Sequence, residues 1–295
     1  MGVEIGSIAL LEPVLEVLPT PKLLIEPGTG RVVYANPAAQ ALAAGALPEA
    51  VVARAASGER LHQVPVDWDT SSGRRSALVS AGTVALPGVG GVAVMSFEDV
   101  TELQAARRHT ALLAEAGPRL ASSLDHAEVA ATVAELAVPA WADWCFVELV
   151  RPDGSIVREA IAHADPAKRQ LTEEYDRLYP LDPSAPVGSA QVIRSGEAEL
   201  MTEIPDELLA SVAVDPRQLE LLREVGLRSS IVVPLRVHGR VIGDLALASA
   251  ESGRRYAQAD LDAAQELADR CALALENARL YTCLLYTSPS PRDRS

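Results

Sequence analysis

The chain has 295 residues, of which 26 are Lys or Arg and 40 are Asp or Glu, giving a formal net charge of −14. With 48 % apolar and 22 % charged residues it has a globular composition, with apolar surface for two cores at roughly 100–200 residues per domain. The acidic surplus excludes the basic footprint that nucleic acid or an anionic membrane surface requires, and no apolar run reaches the roughly 20 residues that cross a bilayer.

At the start of the chain, Met1 to Leu18 carries Glu4, Glu12 and Glu16 and no basic leader, which is not a secretory signal. Leu10 to Leu18 reads as a short helix. Lys22 to Glu26 and Arg31 to Ala35 read as a hairpin around Pro27-Gly28-Thr29-Gly30. Asn36-Pro37 then opens a helix, because the Asn side chain accepts from the free amides of the first turn and proline loses nothing at the first helical position. Gly45 is the expected stop, and Pro48 to Ser57 is a second short helix. Strands are expected at Leu61 to Val66, Arg75 to Leu86 and Gly91 to Phe97, with turns at Gly73 and Pro87-Gly88.

Asp99 followed by Glu102 is a variant helix start. The helix runs to about Leu124, with Leu103, Ala106, Thr110, Leu113, Gly117, Leu120 and Leu124 forming a weak heptad seam. Pro118 predicts a kink or a break in it. A helix from His126 to Val138, a hairpin of Trp144 to Val150 with Ser155 to His163, and a helix from Pro166 to Tyr179 come next. After a loop at Leu181 to Gly188, the pattern gives a helix at Ser189 to Ser195, a strand at Ala198 to Thr202 and one or two helices over Asp206 to Val225. A hairpin of Ser229 to Val237 with Arg240 to Ala248 precedes the longest helix, Ala259 to Tyr281. Leu267, Cys271, Ala274 and Ala278 form its narrow seam.

Cys145, Cys271 and Cys283 lie far apart and none belongs to a C-x-x-C pair, so neither a disulfide framework nor a Cys-rich zinc site is indicated. This is the cysteine usage of a reducing compartment, and the cytoplasm is the expected location. The stretch Cys283 to Asp293 resembles the in-frame translation of a transposon-end sequencing adapter. Residues 283–295 are therefore set aside as a non-native tail, and the natural chain is expected to continue past Tyr281.

The segment Arg31-Val32-Val33-Tyr34-Ala35-Asn36-Pro37-Ala38-Ala39 resembles the start of a PAS domain, and Phe97-Glu98-Asp99-Val100-Thr101-Glu102 resembles its closing strand and exit motif. Together they cover about residues 8–104. Residues 108–281 resemble a GAF domain. The resemblance rests on Ala142-Asp143-Trp144-Cys145, Ala162-His163-Ala164-Asp165-Pro166, Arg228-Ser229-Ser230-Ile231-Val232-Val233-Pro234-Leu235, Ser249-Ala250-Glu251-Ser252-Gly253-Arg254-Arg255-Tyr256 and Leu275-Glu276-Asn277-Ala278-Arg279-Leu280-Tyr281. It looks like the GAF subtype of actinobacterial multidomain regulators.

The resemblances imply an α/β chain of the α+β kind. Each of two domains has a central antiparallel sheet with helices on one face and a ligand pocket between strand and helix, and a helical linker at 105–125 joins the two. They further imply a cytoplasmic sensory module, a homodimer formed through terminal and linker helices, and an output domain that is a histidine kinase or a metal-dependent serine phosphatase. Asn36, Asp99 and Thr101 are the structural and signalling residues of the first domain.

No H-E-x-x-H, P-loop or dinucleotide-binding pattern is present, and no metal or catalytic residue is assigned. The pocket candidates of the second domain are Trp144, Cys145, His163, Tyr175, Tyr179 and Ser230. His163 is either a ligand or haem contact or a strand-end residue bonded to backbone. Cys145 is either a small hydrophobe or a reactive thiol. The aromatic trio lines a cavity or packs the core. His109, on the linker helix, lacks the acidic and proline residues that follow a kinase phospho-acceptor. No ligand or cofactor is named. The competing function is a GAF-type redox enzyme using Cys145 or Cys271, which would need an activated thiolate.

Overall fold

A computed structural model describes residues 12–42, 48–70, 73–86 and 90–287. The chain divides into two compact units, residues 1–104 and 105–295. Both are α+β, each around its own five-stranded antiparallel sheet. The expected stop at Gly45 and the turn at Pro87-Gly88 lie outside the described residues.

The first unit runs α1 (Glu12–Glu16), β1 (Lys22–Ile25), β2 (Val32–Ala35), α2 (Pro37–Leu42), α3 (Glu49–Ala56), β3 (Leu61–Thr70), β4 (Gly73–Leu86) and β5 (Gly90–Asp99), in the sheet order β2-β1-β5-β4-β3. Period-two alternation sets the faces. Leu23 and Ile25 join Ala39 of α2, Val51 and Ala55 of α3, and Val79, Met95 and Phe97 in one core. Leu24 points the other way, toward Leu15 and Val92. β3 extends past the expected Val66 because the alternation continues to Trp68, which is buried and paired with Arg75.

Asn36, fully buried between β2 and α2, ties the unit's entry segment to its sheet. Its Oδ1 accepts from Lys22 N at 2.8 Å and Ala39 N at 2.9 Å. Its amide nitrogen lies 3.2, 3.1 and 3.0 Å from the carbonyls of Leu15, Leu18 and Thr20. At the far end, Asp99 Oδ1 accepts from Thr101 N at 2.9 Å, and Thr101 Oγ1 accepts from Ser76 N at 3.0 Å. Asn36→Ala strips these backbone groups of their partner inside the fold. Loss of about 2–3 kcal/mol is expected, read as a lower urea midpoint for the first unit's transition; an unchanged midpoint would contradict the role.

The second unit adds α4 (Thr101–Ala121, within which the division falls), α5 (His126–Ala137), β6 (Trp144–Val150), β7 (Ile156–His163), α6 (Pro166–Leu178), α7 (Ser189–Ser195), β8 (Glu199–Met201), α8 (Asp206–Val212), α9 (Pro216–Val225), β9 (Ser229–Val237), β10 (Arg240–Ser249) and α10 (Gln258–Thr287). The sheet order is β7-β6-β10-β9-β8. Cys145, Val147, Ile231, Val233, Leu235, Leu245 and Leu247 pack beneath α4, α5 and α10 in the main core. The alternate residues Trp144, Phe146, Val232, Ala246 and Ala248 pack against Val192 of α7 and Val225 of α9. This sheet is therefore covered on both faces, where helices on one face were expected.

Three further expectations meet the structure here. Of the kink or break expected at Pro118 the break is absent, since α4 continues through it to Ala121. Proline there removes a backbone donor, and one turn earlier the Arg270 guanidinium donates to the Leu113 carbonyl. The buried stripe of α4 is His109, Leu112, Leu113, Ala116 and Leu120, which shares Leu113 and Leu120 with the expected heptad seam and leaves its Leu103 and Leu124 exposed. His109 is itself packed on Trp141 at 4.8 Å, with Nε2 3.0 Å from Asp260. Finally, Leu267, Cys271, Ala274 and Ala278 of α10 are buried in the unit's own core, because small residues let the helix lie close over the sheet. They are not a seam for a second chain. α10 also runs into the stretch set aside as a tail, as far as Thr287.

The resemblance-bearing segments around Asp143 and Ser249 to Tyr256 form one structural staple. Asp143 Oδ2 accepts from Ala250 N at 2.6 Å, Ser252 N at 3.0 Å and Ser252 Oγ at 2.7 Å. Tyr256 OH donates to the Trp141 carbonyl at 3.3 Å. The loop after β10 is thereby fixed to the start of β6.

Candidate functional site

β6 enters the sheet as a nearly continuous apolar run broken by Glu148, and β10 as another broken by Asp244. Strand parity puts both on the face of Trp144, Phe146 and Ala246, turned toward α6 and α7. Antiparallel register sets Asp244 directly opposite Glu148. Gly243 makes that register possible: a Cβ there would sit 2.0 Å from the Glu148 carbonyl oxygen and 2.9 Å from Leu149 Cδ2.

Both carboxyls are buried, with 1 % and 0 % of their residues' surface exposed. Arg158 of β7 supplies the countercharge. Its Nε and Nη2 donate to Glu148 Oε1 at 3.0 and 2.7 Å, and its Nη1 donates to Asp176 Oδ1 of α6 at 2.6 Å. The guanidinium lies 4.4 Å over the Phe146 ring, a cation–π contact strengthened by desolvation. Burial opposes the Arg158 charge, but Glu148 and Asp176 outweigh it and hold the group protonated. Ser189, the first residue of α7, donates to Asp244 Oδ2 at 2.9 Å. Burial, and then the Glu148 charge, push the Asp244 carboxyl far above the usual carboxylate range. Asp176 rises too, chiefly through burial, against the pull of Arg158.

The six pocket candidates do not converge on one cavity. Trp144 is fully buried on the charged face, its indole N–H without a hydrogen-bond partner, and its ring meets His163 in a tilted contact at 4.2 Å. His163 Nδ1 accepts from Asp165 N at 2.9 Å, which leaves the proton on Nε2, 3.3 Å from Glu251 Oε2. It also lines a cleft of about 180 Å³ with Glu135, Pro139 and Arg169. Tyr175 OH accepts from Gln218 Nε2 at 2.9 Å and Tyr179 OH donates to Asp215 at 2.9 Å, so this pair fastens α6 to α9. Ser230 is half-buried in β9, paired with Met201 and Ala248.

Cys145 lies on the opposite face, in the main core with Cys271. Burial pushes the Cys271 thiol up to about 12 and the Cys145 thiol well above its ordinary value. Neither forms a thiolate at neutral pH or meets a solute.

A separate cleft of about 790 Å³ lies between the β6–β7 turn, the start of β10 and α10, with Leu149, Ile242 and Leu275 among its lining residues. Two of its arginines are paired locally, Arg151 with Glu159 at 3.0 Å and Arg279 with Glu276 at 2.8 Å. Among the described residues no group of three or more His, Cys, Asp or Glu forms a metal site. Among the described residues no helix is long and apolar enough to cross a membrane.

Glu148, Arg158, Asp176, Ser189 and Asp244 were not singled out by the sequence. The signal for two of them was present: one acid in the middle of each of two apolar strands, which the pattern of β6 and β10 tolerates only if the acids are partnered.

A single antiparallel sheet, apolar on one face and charged on the other beneath short helices, defines an α+β domain. The GAF domain family model matches residues 125–275, and the chain belongs to that family. Similar solved structures include the free methionine-R-sulfoxide reductase from Neisseria meningitidis in complex with its substrate, 20 % identical over 59 % of this chain and 91 % of that one, TM-score 0.42. The GAF domain of an Acinetobacter phosphoenolpyruvate-protein phosphotransferase is 12 % identical over 58 % and 94 %, TM-score 0.44. A GAF domain/HD domain protein from Geobacter sulfurreducens is 20 % identical over 55 % and 98 %, TM-score 0.43. The comparison with curated proteins gives no match.

Two outcomes check this geometry. Arg158→Met leaves the Glu148 and Asp176 charges uncompensated and is expected to cost about 3–5 kcal/mol in urea unfolding; a loss under about 1 kcal/mol would mean the pairs do not form. In a Cys283→Ser background, Cys145 and Cys271 are expected to resist a thiol-labelling reagent at pH 8 until denaturant is added. Rapid labelling of the native protein would contradict their burial.

Proposed function

We propose that the chain is the sensory input region of a cytoplasmic signal-transduction protein, in which the GAF domain recognises a small polar solute on the face of Glu148, Arg158, Asp176 and Asp244. One observation carries this reading. Burying charge costs on the order of several kcal/mol per ion, and here it is buried where the neighbouring strand positions, Phe146 and Ala246, show that apolar packing is available. The groups above it belong to α6 and α7, and α7 has only 7 residues.

The first unit is read as a PAS domain over residues 8–104. Its strand order β2-β1-β5-β4-β3, and the hydrogen bonds of Asn36, Asp99 and Thr101 at its two ends, support that reading. On the resemblance alone, the output is read as a histidine kinase or a metal-dependent serine phosphatase following α10. The fragment itself is read as non-enzymatic, supported by the seclusion of both described thiols.

The protein is further read as a homodimer. The support is an exposed stripe on α10, Leu273, Asn277 and Leu280, whose spacings of four and three match a coiled-coil seam with one polar position. Light scattering on the purified chain is expected to give a dimer that Leu273→Glu combined with Leu280→Glu converts to monomer; a monomeric wild type would remove the dimer from the account. The same preparation is expected to show no kinase, phosphatase or sulfoxide-reductase turnover, and turnover would overturn the sensory reading. The uninterrupted gene beyond Tyr281 tests the output domain directly.

A further inference from the structure

We propose that Glu148 and Asp244 bind a single proton between them, carried on Asp244 and donated to Glu148 Oε2, so that the GAF sheet contains a proton-binding site beneath α7. The assignment does not depend on the sensory reading.

Four oxygens have to be accounted for. Glu148 Oε1 takes both contacts from Arg158, and Asp244 Oδ2 takes the Ser189 hydroxyl. The remaining two, Glu148 Oε2 and Asp244 Oδ1, are both buried and neither has a donor. They belong to residues in direct register on neighbouring strands, with both side chains on one face of the sheet. Two carboxylates facing each other across the rung offer only acceptors and repel. One proton turns an acceptor into a donor and satisfies both orphan oxygens at once.

The surrounding charges leave no alternative cation. Facing the pair are Arg158 from β7 and Asp176 from α6, while α7 contributes the neutral Ser189. Tyr175 lies within electrostatic reach of Arg158 and Asp176, Glu173 within reach of Asp176, and Cys145 lies on the other face of β6. Three carboxyls therefore meet one guanidinium, which is already shared between Glu148 and Asp176. The burial and the Glu148 charge that raise Asp244 agree with a proton held there.

The sign of the pH effect follows. Asp244 titrates higher in the folded than in the unfolded chain, where a carboxyl titrates near 3.9. Its contribution to stability is fully present below about pH 4 and is lost as pH rises toward the folded value. Losing the proton places an unpaired charge under Ser189, at the point where α7 is held to the sheet.

Asp244→Asn reproduces the protonated state at every pH, since its amide donates to Glu148 and its carbonyl accepts from Ser189. The full chain and this variant are expected to melt together near pH 4, with the variant increasingly the more stable as pH rises to 8. A constant gap, or one that favours the wild type, would overturn the proposal. Infrared spectra supply a readout independent of folding differences. At neutral pH the wild type is expected to show a carboxylic-acid C=O band that Asp244→Asn lacks. Absence of that band in the wild type, or its persistence in a folded variant, refutes the assignment. If the variant does not fold, the wild-type band decides alone: present at neutral pH and lost on alkaline titration it supports the proposal, absent it refutes it.

Discussion

One cross-strand rung organises the second unit: Glu148 of β6 opposite Asp244 of β10, with Gly243 beside it holding the place where no side chain fits. A side chain at Gly243 would push the strands apart, and a one-residue slip would turn both acids into the dry core. Fixed register and buried charge therefore constrain each other. Arg158 bridges from the sheet to Asp176 on α6, and Asp244 reaches Ser189 on α7. The helices over this face are thus held by polar contacts as well as by the Val192 and Val225 packing.

The opposite face works by different physics. Small residues along α10, notably Ala264, Ala268, Cys271 and Ala278, let that helix approach β9 and close a core free of charged side chains. The packing secludes both described thiols. The sheet thus separates a rigid, apolar layer from a charged layer capped by short helices.

Much of the fold was legible in the sequence because its signals are local. The Asn36-Pro37 helix start, the Pro152-Asp153-Gly154 turn and the Asp215-Pro216 break are each set by the chemistry of two or three residues, and the structure places elements accordingly. The errors are failures of reach. Pro118 reads as a kink or a break, and the break is absent because packing of Leu112, Leu113, Ala116 and Leu120 against the core, which sequence does not reveal, holds α4 on either side of it. The α10 seam of small residues reads as an oligomer contact because a helix stripe does not say what lies opposite. Cys145 and Trp144 are adjacent in sequence and so fall on opposite faces, a consequence of strand period. The charged cluster was missed for a related reason: Glu148, Arg158, Asp176, Ser189 and Asp244 span nearly a hundred residues, and only register and helix placement bring them together.

The central claim is that this cluster is retained for recognition rather than for holding the fold. Thermal unfolding of a variant carrying Glu148→Met, Arg158→Met, Asp176→Leu and Asp244→Val together tests it most directly, since replacing a whole buried ionic group by apolar side chains is often neutral or stabilising. The account predicts cooperative unfolding at a temperature equal to or above that of the parent chain. Failure to fold, or a fall in melting temperature as large as that from Arg158→Met alone, would make the cluster structural and contradict the account.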